Sequence, residues 1–230
     1  MLKSIGSNVP DKEQFQGIKL AKDKMQQDDI LTLSREDILE SEKLYRTKLI
    51  NSLAGIRQVV LIGTKSYSGF ENLAIFNSII HLGAHPPLFG FISRPDSVER
   101  DTLRNIKETG SYTFNYMDKN WMKEAHQTSA RYPKDQSEFE RVGLTSQYLE
   151  NCFAPFVKDA SIKMEMKFQQ MVDIEINKTK MIIGSMERVH IPRNRLAEDG
   201  LVKPFDLLLS GGLDAYYVSE FLEQLPYAKP

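Results

Sequence analysis

Apolar positions along this chain fall into short runs and alternations more than into helical stripes. Residues 58–64 form a continuous Val- and Ile-rich run, the signature of a strand buried on both faces. Residues 73–82 and 88–93 make two more runs on either side of His85-Pro86-Pro87, and residues 112–117 make a fourth. Further on, Ile162, Met164, Met166 and Phe168 alternate with Lys163, Glu165 and Lys167. That period of two belongs to a half-exposed antiparallel strand with the apolar side in the core. Residues 171–176 and 180–191 continue as strands, with Asn177-Lys178 at a turn. Tyr67-Ser68-Gly69 marks another turn. Helical signals are fewer. Ser34 with Asp37 resembles a cap, and Ile38, Leu39, Leu49, Ile50 and Leu53 predict a helix ending near Gly55. Ser97 is placed to cap a helix running to Gly110. Residues 118–156, with the lone Trp121, read as helical or irregular. Short strands with few helices between them predict a mainly β chain: a barrel with peripheral helices, not a doubly wound sheet. Residues 1–33 read as a polar arm, ordered in part against a partner subunit, and residues 34–230 as one domain without internal repeats.

Bulk properties narrow the function classes. A chain of 230 residues is long enough for one sizeable core. Its 30 basic and 31 acidic side chains nearly cancel, and the pI is about 6.5. That balance argues against a general binder of nucleic acid or anionic membrane. The single cysteine, Cys152, excludes an intrachain disulfide and points to a reducing, cytoplasmic setting. The opening residues lack the apolar segment of a signal peptide. Residues 72–93 contain no Asp, Glu, Lys or Arg, but Asn72, Asn77, His81, His85 and Pro86-Pro87 suit two buried strands better than a membrane helix.

Several chemistries can be set aside. No G-x-G-x-x-G, P-loop lysine or G-x-S-x-G occurs. His81 and His85 have the spacing of a helical metal pair, but on a strand four steps at about 3.3 Å each put them roughly 13 Å apart. Cys152 sits in Asn-Cys-Phe-Ala-Pro, a setting for a small buried hydrophobe and not a nucleophile.

What remains is a concentration of hydroxyls, amides and arginines between the apolar runs. Ser93 and Arg94 end one run, and Arg100, Asp101, Thr102 and Asn105 open the helix that follows. Helix N-termini backed by arginine hold phosphate well, and Asn105 lies one turn beyond Asp101 and Thr102. The solvated face of an ordinary helix would read the same way, and the helix start is expected to face solvent. Five pieces in order then resemble the flavin reductase-like family of FMN-binding split barrels. They are Asn72-Leu73-Ala74-Ile75-Phe76-Asn77-Ser78, then Pro86-Pro87-Leu88 with Ser93-Arg94-Pro95, then Arg100-Asp101-Thr102-Leu103-Arg104-Asn105-Ile106. Downstream come Ser137-Glu138-Phe139-Glu140 with Gly143-Leu144-Thr145, and finally Gly211-Gly212-Leu213-Asp214 with Tyr216. Asn77 stands where many members carry Ser or Thr, and the arm before Ser34 has no counterpart in the common pattern.

The resemblance implies a split β-barrel of Greek-key type that binds FMN at a homodimer interface. In that reading the backbone of Asn72, Leu73, Ala74, Ile75, Phe76, Asn77 and Ser78 lines the flavin ring. Ser78 and Thr102 offer hydroxyls to the phosphate, Ser93 ends the strand beside it, and Arg94 and Arg100 add charge. Thr128 and Ser129 resemble a further segment near the cofactor, and the region around Trp121 is a candidate contribution from the second subunit. No catalytic side chain or metal is implied, because flavin carries the chemistry. The implied function is an oxidoreductase that passes a hydride from NAD(P)H to flavin and on to a small-molecule or protein acceptor. Two alternatives stay open: an FMN-binding electron carrier or sensor without nicotinamide turnover, and an FMN enzyme of the pyridoxamine-phosphate oxidase type.

Overall fold

The computed structural model describes residues 30–95, 100–133, 136–203, 206–226 and 228. Most of the expected arm and the expected cap Ser97 lie outside the described residues. In chain order the elements are α1 (Arg35–Glu40), α2 (Lys43–Leu53), β1 (Arg57–Gln58), β2 (Val60–Lys65), β3 (Glu71–Phe76), β4 (Ile79–Ala84), β5 (Pro87–Ser93), α3 (Asp101–Thr109), β6 (Ser111–Tyr116), α4 (Met122–Gln127) and α5 (Glu138–Val142). Then follow β7 (Ser146–Gln147), β8 (Phe156–Val157), β9 (Lys163–Ile174), β10 (Thr179–His190), β11 (Leu208–Gly211) and β12 (Ala215–Val218).

Seven strands form one antiparallel sheet in the order β3-β2-β6-β9-β10-β5-β4, and β1, β11 and β12 form a smaller one. β3 and β4 are the two ends of that order, yet only Asn77 and Ser78 separate them in the chain. Three Cα–Cα steps of 3.8 Å hold Phe76 and Ile79 within about 11 Å of each other. The sheet therefore curls until its two edges meet at Asn77-Ser78, although no ladder joins them. The outcome is a barrel with a slit between β3 and β4, which is the split barrel that the sequence led us to expect.

The long apolar run of β2 has a direct explanation. Its even side chains, Val60 and Ile62, enter the barrel core with Phe91, Leu103, Ile106, Phe114, Met164 and Ile182. Its odd side chain Leu61, with Val59, enters a second core with Leu73, Met117, Trp121 and Phe139. A strand covered on both faces has no polar side to show. α3 closes the barrel core through Leu103 and Ile106, so it is an internal plug more than a peripheral helix. Gly110 ends it in the left-handed conformation, as expected.

Four expectations need correction. The helix foreseen up to Gly55 is two helices: Ser41 is extended, and Glu42 restarts the chain by accepting from the Leu44 and Tyr45 amides at 2.8 and 2.9 Å. The apolar run 73–82 is two strands on opposite sheet edges, broken at Asn77-Ser78. Lys163, placed by the alternation on the wet face, is buried; its Nζ donates to Gln147 Oε1 at 2.6 Å and to the Lys158 carbonyl at 2.9 Å. Trp121, named with residues 118–156 as a contribution to a second subunit, is itself buried in the core, so any such contribution falls to other side chains of that segment.

Candidate functional site

The slit is bounded on one side by β3. The Leu73 amide points away from β2 and donates to Glu138 Oε2 at 3.0 Å. Main-chain groups alternate sides along an antiparallel strand, so Ile75 also turns its amide and carbonyl outward, toward the slit. Ala74 and Phe76 turn theirs toward Ile62 and Val60 on β2. The Phe76 ring packs edge-on against Phe91 at 5.0 Å and seals the barrel below.

The link that joins the two edges is held from both sides. Asn77 Nδ2 donates to the Gly212 carbonyl at 3.0 Å and lies 3.4 Å from Ser210 Oγ, which ties it to the β11–β12 hairpin. Ser78 Oγ donates to the Ile92 carbonyl and accepts from the Ile92 amide, both at 3.2 Å. Ser93, the next residue on β5, is buried, and Arg94 beyond it is exposed. Arg100 stands at the other end of the connection that starts at Arg94 and caps α3.

A second group of the expected residues gathers at the far end of β3. Asn72 Nδ2 donates to Thr102 Oγ1 at 2.9 Å and to Thr64 Oγ1 at 3.3 Å, and Asn105 Nδ2 reaches the same Thr64 oxygen at 3.1 Å. All four residues are buried. The start of α3 thus does not face solvent at Thr102; it is stitched to β2 and β3. Asn72 and Phe76 are four residues apart on β3, roughly 13 Å at about 3.3 Å per residue. The hydroxyls of Thr102 and Ser78 therefore belong to opposite ends of the strand. Thr102→Ala should cost about 1–2 kcal/mol, because the Asn72 amide loses its shorter bond in a buried setting. Thr102→Ser should recover most of it. Urea unfolding midpoints check this, and an unchanged midpoint in Thr102→Ala would show that the stitch contributes nothing.

Beside this stitch a shallow surface cleft is lined by Glu71, Asn72, Asp101, Arg104, Asn105 and Glu138, among others. Arg104 pairs with Asp101 at 2.5 Å. Burial pushes the Glu138 carboxyl above its usual pKa, and the charge of Asp101 adds to the rise, while the Leu73 amide works against it. Three carboxylates around one arginine disfavour a phosphate on this side of α3.

The remaining candidates lie elsewhere. Thr128 is buried and closes α4 by donating to the Ala125 carbonyl at 2.8 Å, and Ser129 beside it is exposed. Burial raises the Cys152 thiol pKa, as suits a buried hydrophobe. His81 contacts the Phe89 ring at 5.8 Å. Among the described residues no group of three His, Cys, Asp or Glu side chains is placed to hold a metal, and no helix is long and apolar enough to cross a membrane. Thr64 escaped the sequence reading, and Glu138 and Tyr216 entered it only as members of motifs, without the Glu138 bond to the Leu73 amide or the pairing of Tyr216 Oη with His126 Nδ1 at 2.7 Å. Thr64 is hidden at the end of an apolar run, and the other contacts join segments far apart in the chain.

Comparison with known proteins agrees with this architecture. The model of the flavin reductase like domain matches residues 55–211. An uncharacterized protein of Halalkalibacterium halodurans is 31% identical over 120 residues, or 51% of this chain, and the match spans 57% of that relative. A structure from Shewanella frigidimarina, assigned as a flavin reductase with a split barrel domain, is 43% identical. It superposes with a TM-score of 0.83, covering 86% of this chain and 100% of that one. Nitrilotriacetate monooxygenase component B from Bacillus cereus has the same fold, with a TM-score of 0.74 at 22% identity over 86% of this chain and 100% of that one. With a slit barrel whose edges meet at Asn77-Ser78 and a family match over residues 55–211, the chain belongs to the flavin reductase-like family.

Proposed function

We propose that this protein binds FMN along the slit between β3 and β4 and passes a hydride from NAD(P)H through the flavin to a second acceptor, a small molecule or a protein. The observation that carries the reading is the slit itself: a strand edge with outward main chain at Ile75, ending at a braced link beside Ser93 and Arg94. The donor set fits FMN. Ser93 and Arg94 would hold the phosphate, and Arg100 adds a second cation at the end of the same connection. The carboxylates of Glu71, Asp101 and Glu138 steer the phosphate away from the opposite side of α3. The outward main chain of Ile75 and the link at Asn77 and Ser78 would meet the ring. Asn72, Thr102 and Asn105 then act by fixing β3 against α3. Flavin supplies the hydride chemistry, and the protein's part is to bind it, orient it and limit access of water. A second copy of the chain completes the site.

Purified protein mixed with FMN, then titrated anaerobically with NADH and NADPH, tests the whole reading by visible absorbance. Bleaching by either nicotinamide is expected. Binding without bleaching would leave an electron carrier, and failure to bind FMN would overturn the proposal. Arg94→Ala provides the sharper test. A charge-assisted hydrogen bond contributes about 1.5–3 kcal/mol, so its loss raises the Kd for FMN roughly 10- to 150-fold. Riboflavin, which has no phosphate, should bind both proteins alike. Equal weakening of both ligands, or of neither, would remove Arg94 from the phosphate site.

A further inference from the structure

Two side chains from different elements meet beside the slit in a bond that the proposed cofactor site does not use. His126, in the last turn of α4, and Tyr216, on β12, join Nδ1 to Oη at 2.7 Å, with their rings edge to face at 5.7 Å. Both are half-buried. Tyr216 packs against the same core cluster as Ile75, the residue whose main chain opens to the slit. It also stands directly opposite Ser210 in the β11–β12 ladder, so the two side chains share a face. Ser210 Oγ is 3.4 Å from Asn77 Nδ2, and Cβ atoms of directly opposed residues lie about 5 Å apart, so the base of the Tyr216 side chain is within roughly 10 Å of that amide. The pair thus borders the ring end of the slit, one side chain removed from Asn77.

Asn77, Ser78 and the Ile75 main chain offer hydrogen bonds at that end but no acid, and Arg94 and Arg100 hold their protons too tightly to release them. Reduction of an organic acceptor needs an acid. The hydride brings two electrons and forms a new bond to hydrogen, and the negative charge left on the acceptor must then take up a proton. Burial pushes the Tyr216 hydroxyl above its ordinary pKa, and the charge of Asp214 adds to the rise, so the phenol keeps its proton until a stronger base lies beside it. We propose that the Tyr216–His126 pair gives the acceptor its proton. Tyr216 Oη releases a proton to the anionic acceptor and recovers one from Nδ1 of protonated His126, which water reprotonates. In sum, NAD(P)H, the acceptor and one proton give NAD(P)+ and the reduced acceptor. The role rests on the reading that FMN occupies the slit and passes a hydride onward. It narrows the acceptor to organic compounds that take up a proton with their electrons, in place of metal-centred carriers.

Stopped-flow reoxidation of protein-bound FMN, reduced beforehand with dithionite so that the nicotinamide plays no part, tests this. Ferricyanide takes electrons without protons, whereas dichlorophenolindophenol takes up protons with its electrons. Tyr216→Phe should slow the indophenol reaction at least roughly 10-fold more than the ferricyanide reaction, since a positioned acid contributes about 100-fold or more. His126→Gln, which can hold the hydroxyl but carries no mobile proton, should do the same, and the double variant should be no slower than either. Tyr217→Phe, on the opposite face of β12, should behave as wild type with both oxidants. In the wild type the indophenol reaction should be slower in deuterium oxide, and Tyr216→Phe should abolish that difference. Nitrogen NMR spectra of the flavin-free, isotope-labelled protein give a readout apart from turnover: Tyr216→Phe should move the His126 Nδ1 resonance and leave those of His81 and His85 in place. Equal slowing with both oxidants would make the pair a structural tie, and an undiminished indophenol rate or an unmoved Nδ1 resonance would remove it from the reaction. Selective loss in Glu138→Gln with none in Tyr216→Phe would assign the proton to that carboxyl. Each of these overturns the proposal. A wild type that binds no FMN sinks the proposed function and this role together, whereas one that binds FMN and is bleached by NAD(P)H without a selective Tyr216→Phe effect sinks this role alone.

Discussion

Gly63→Ala should lower the melting temperature by roughly 10 °C. Gly63 lies in the middle of β2, where its own conformation makes no demand for glycine. The demand comes from its neighbours. A Cβ at this position would sit 2.1 Å from the Pro155 carbonyl oxygen and 2.6 Å from Thr113 Oγ1. Both atoms are fixed, since Thr113 Oγ1 donates to that same carbonyl at 2.6 Å inside the protein. Backbone cannot rotate aside as a long side chain can, so the clash must push the segment around Pro155 off the sheet. Overpacking of this kind costs about 3 kcal/mol or more. For a chain of this size each kcal/mol is roughly 2–4 °C. Differential scanning calorimetry checks it, and a melting temperature within about 2 °C of wild type would mean that the segment is not held against β2.

Asn115→Leu should destabilise by about 3 kcal/mol, although it preserves the size of a fully buried side chain. Asn115 Nδ2 donates to the Leu61 carbonyl at 3.1 Å and to Thr113 Oγ1 at 2.9 Å, and Oδ1 accepts from the Val157 amide at 2.8 Å. Leucine would leave the Val157 amide buried without an acceptor, which costs about 1–3 kcal/mol by itself, and the two lost donor contacts add to that. Asn115→Asp separates the roles: protonated, it keeps the acceptor for Val157 and has one donor in place of two. Urea midpoints in the order wild type, Asp, Leu are expected at a pH where the new carboxyl is protonated. A leucine variant as stable as wild type would show that the network adds specificity and no stability.

These two positions mark what could and could not be read from the chain. β2 was legible because burial on both faces leaves an unbroken apolar run, and the β9 alternation was legible because one face meets the core. The cap at Ser34 was legible because its partner Asp37 lies three residues away. Local pattern says nothing about Gly63, Thr113 and Asn115, whose partners lie some forty or more residues distant or arrive from the other strand face. Lys163 misled for the same reason: its two acceptors come from Gln147 on β7 and from Lys158 just after β8, and together they outweigh the alternation. At the candidate site, the order of motifs placed the right segments near one another. It did not reveal that Thr102 and Ser78 serve opposite ends of β3, since strand ends and strand middles look alike in sequence.

The two-residue link at Asn77-Ser78 has a consequence for how the chain reaches its fold. Two apolar strands separated by two residues normally zip into a hairpin, the fastest and most local β structure available. Here that hairpin is a trap. If β3 and β4 paired with each other early, the slit would vanish and five strands would be left outside the ring. The native route must keep the two runs apart until β2, β6, β9, β10 and β5 have assembled between them. Contacts of such long sequence separation are slow to form. Asn77 is anchored to Gly212 of the β11–β12 hairpin and Ser78 to Ile92 on β5, and these bonds to two different elements disfavour the competing pairing in the finished barrel.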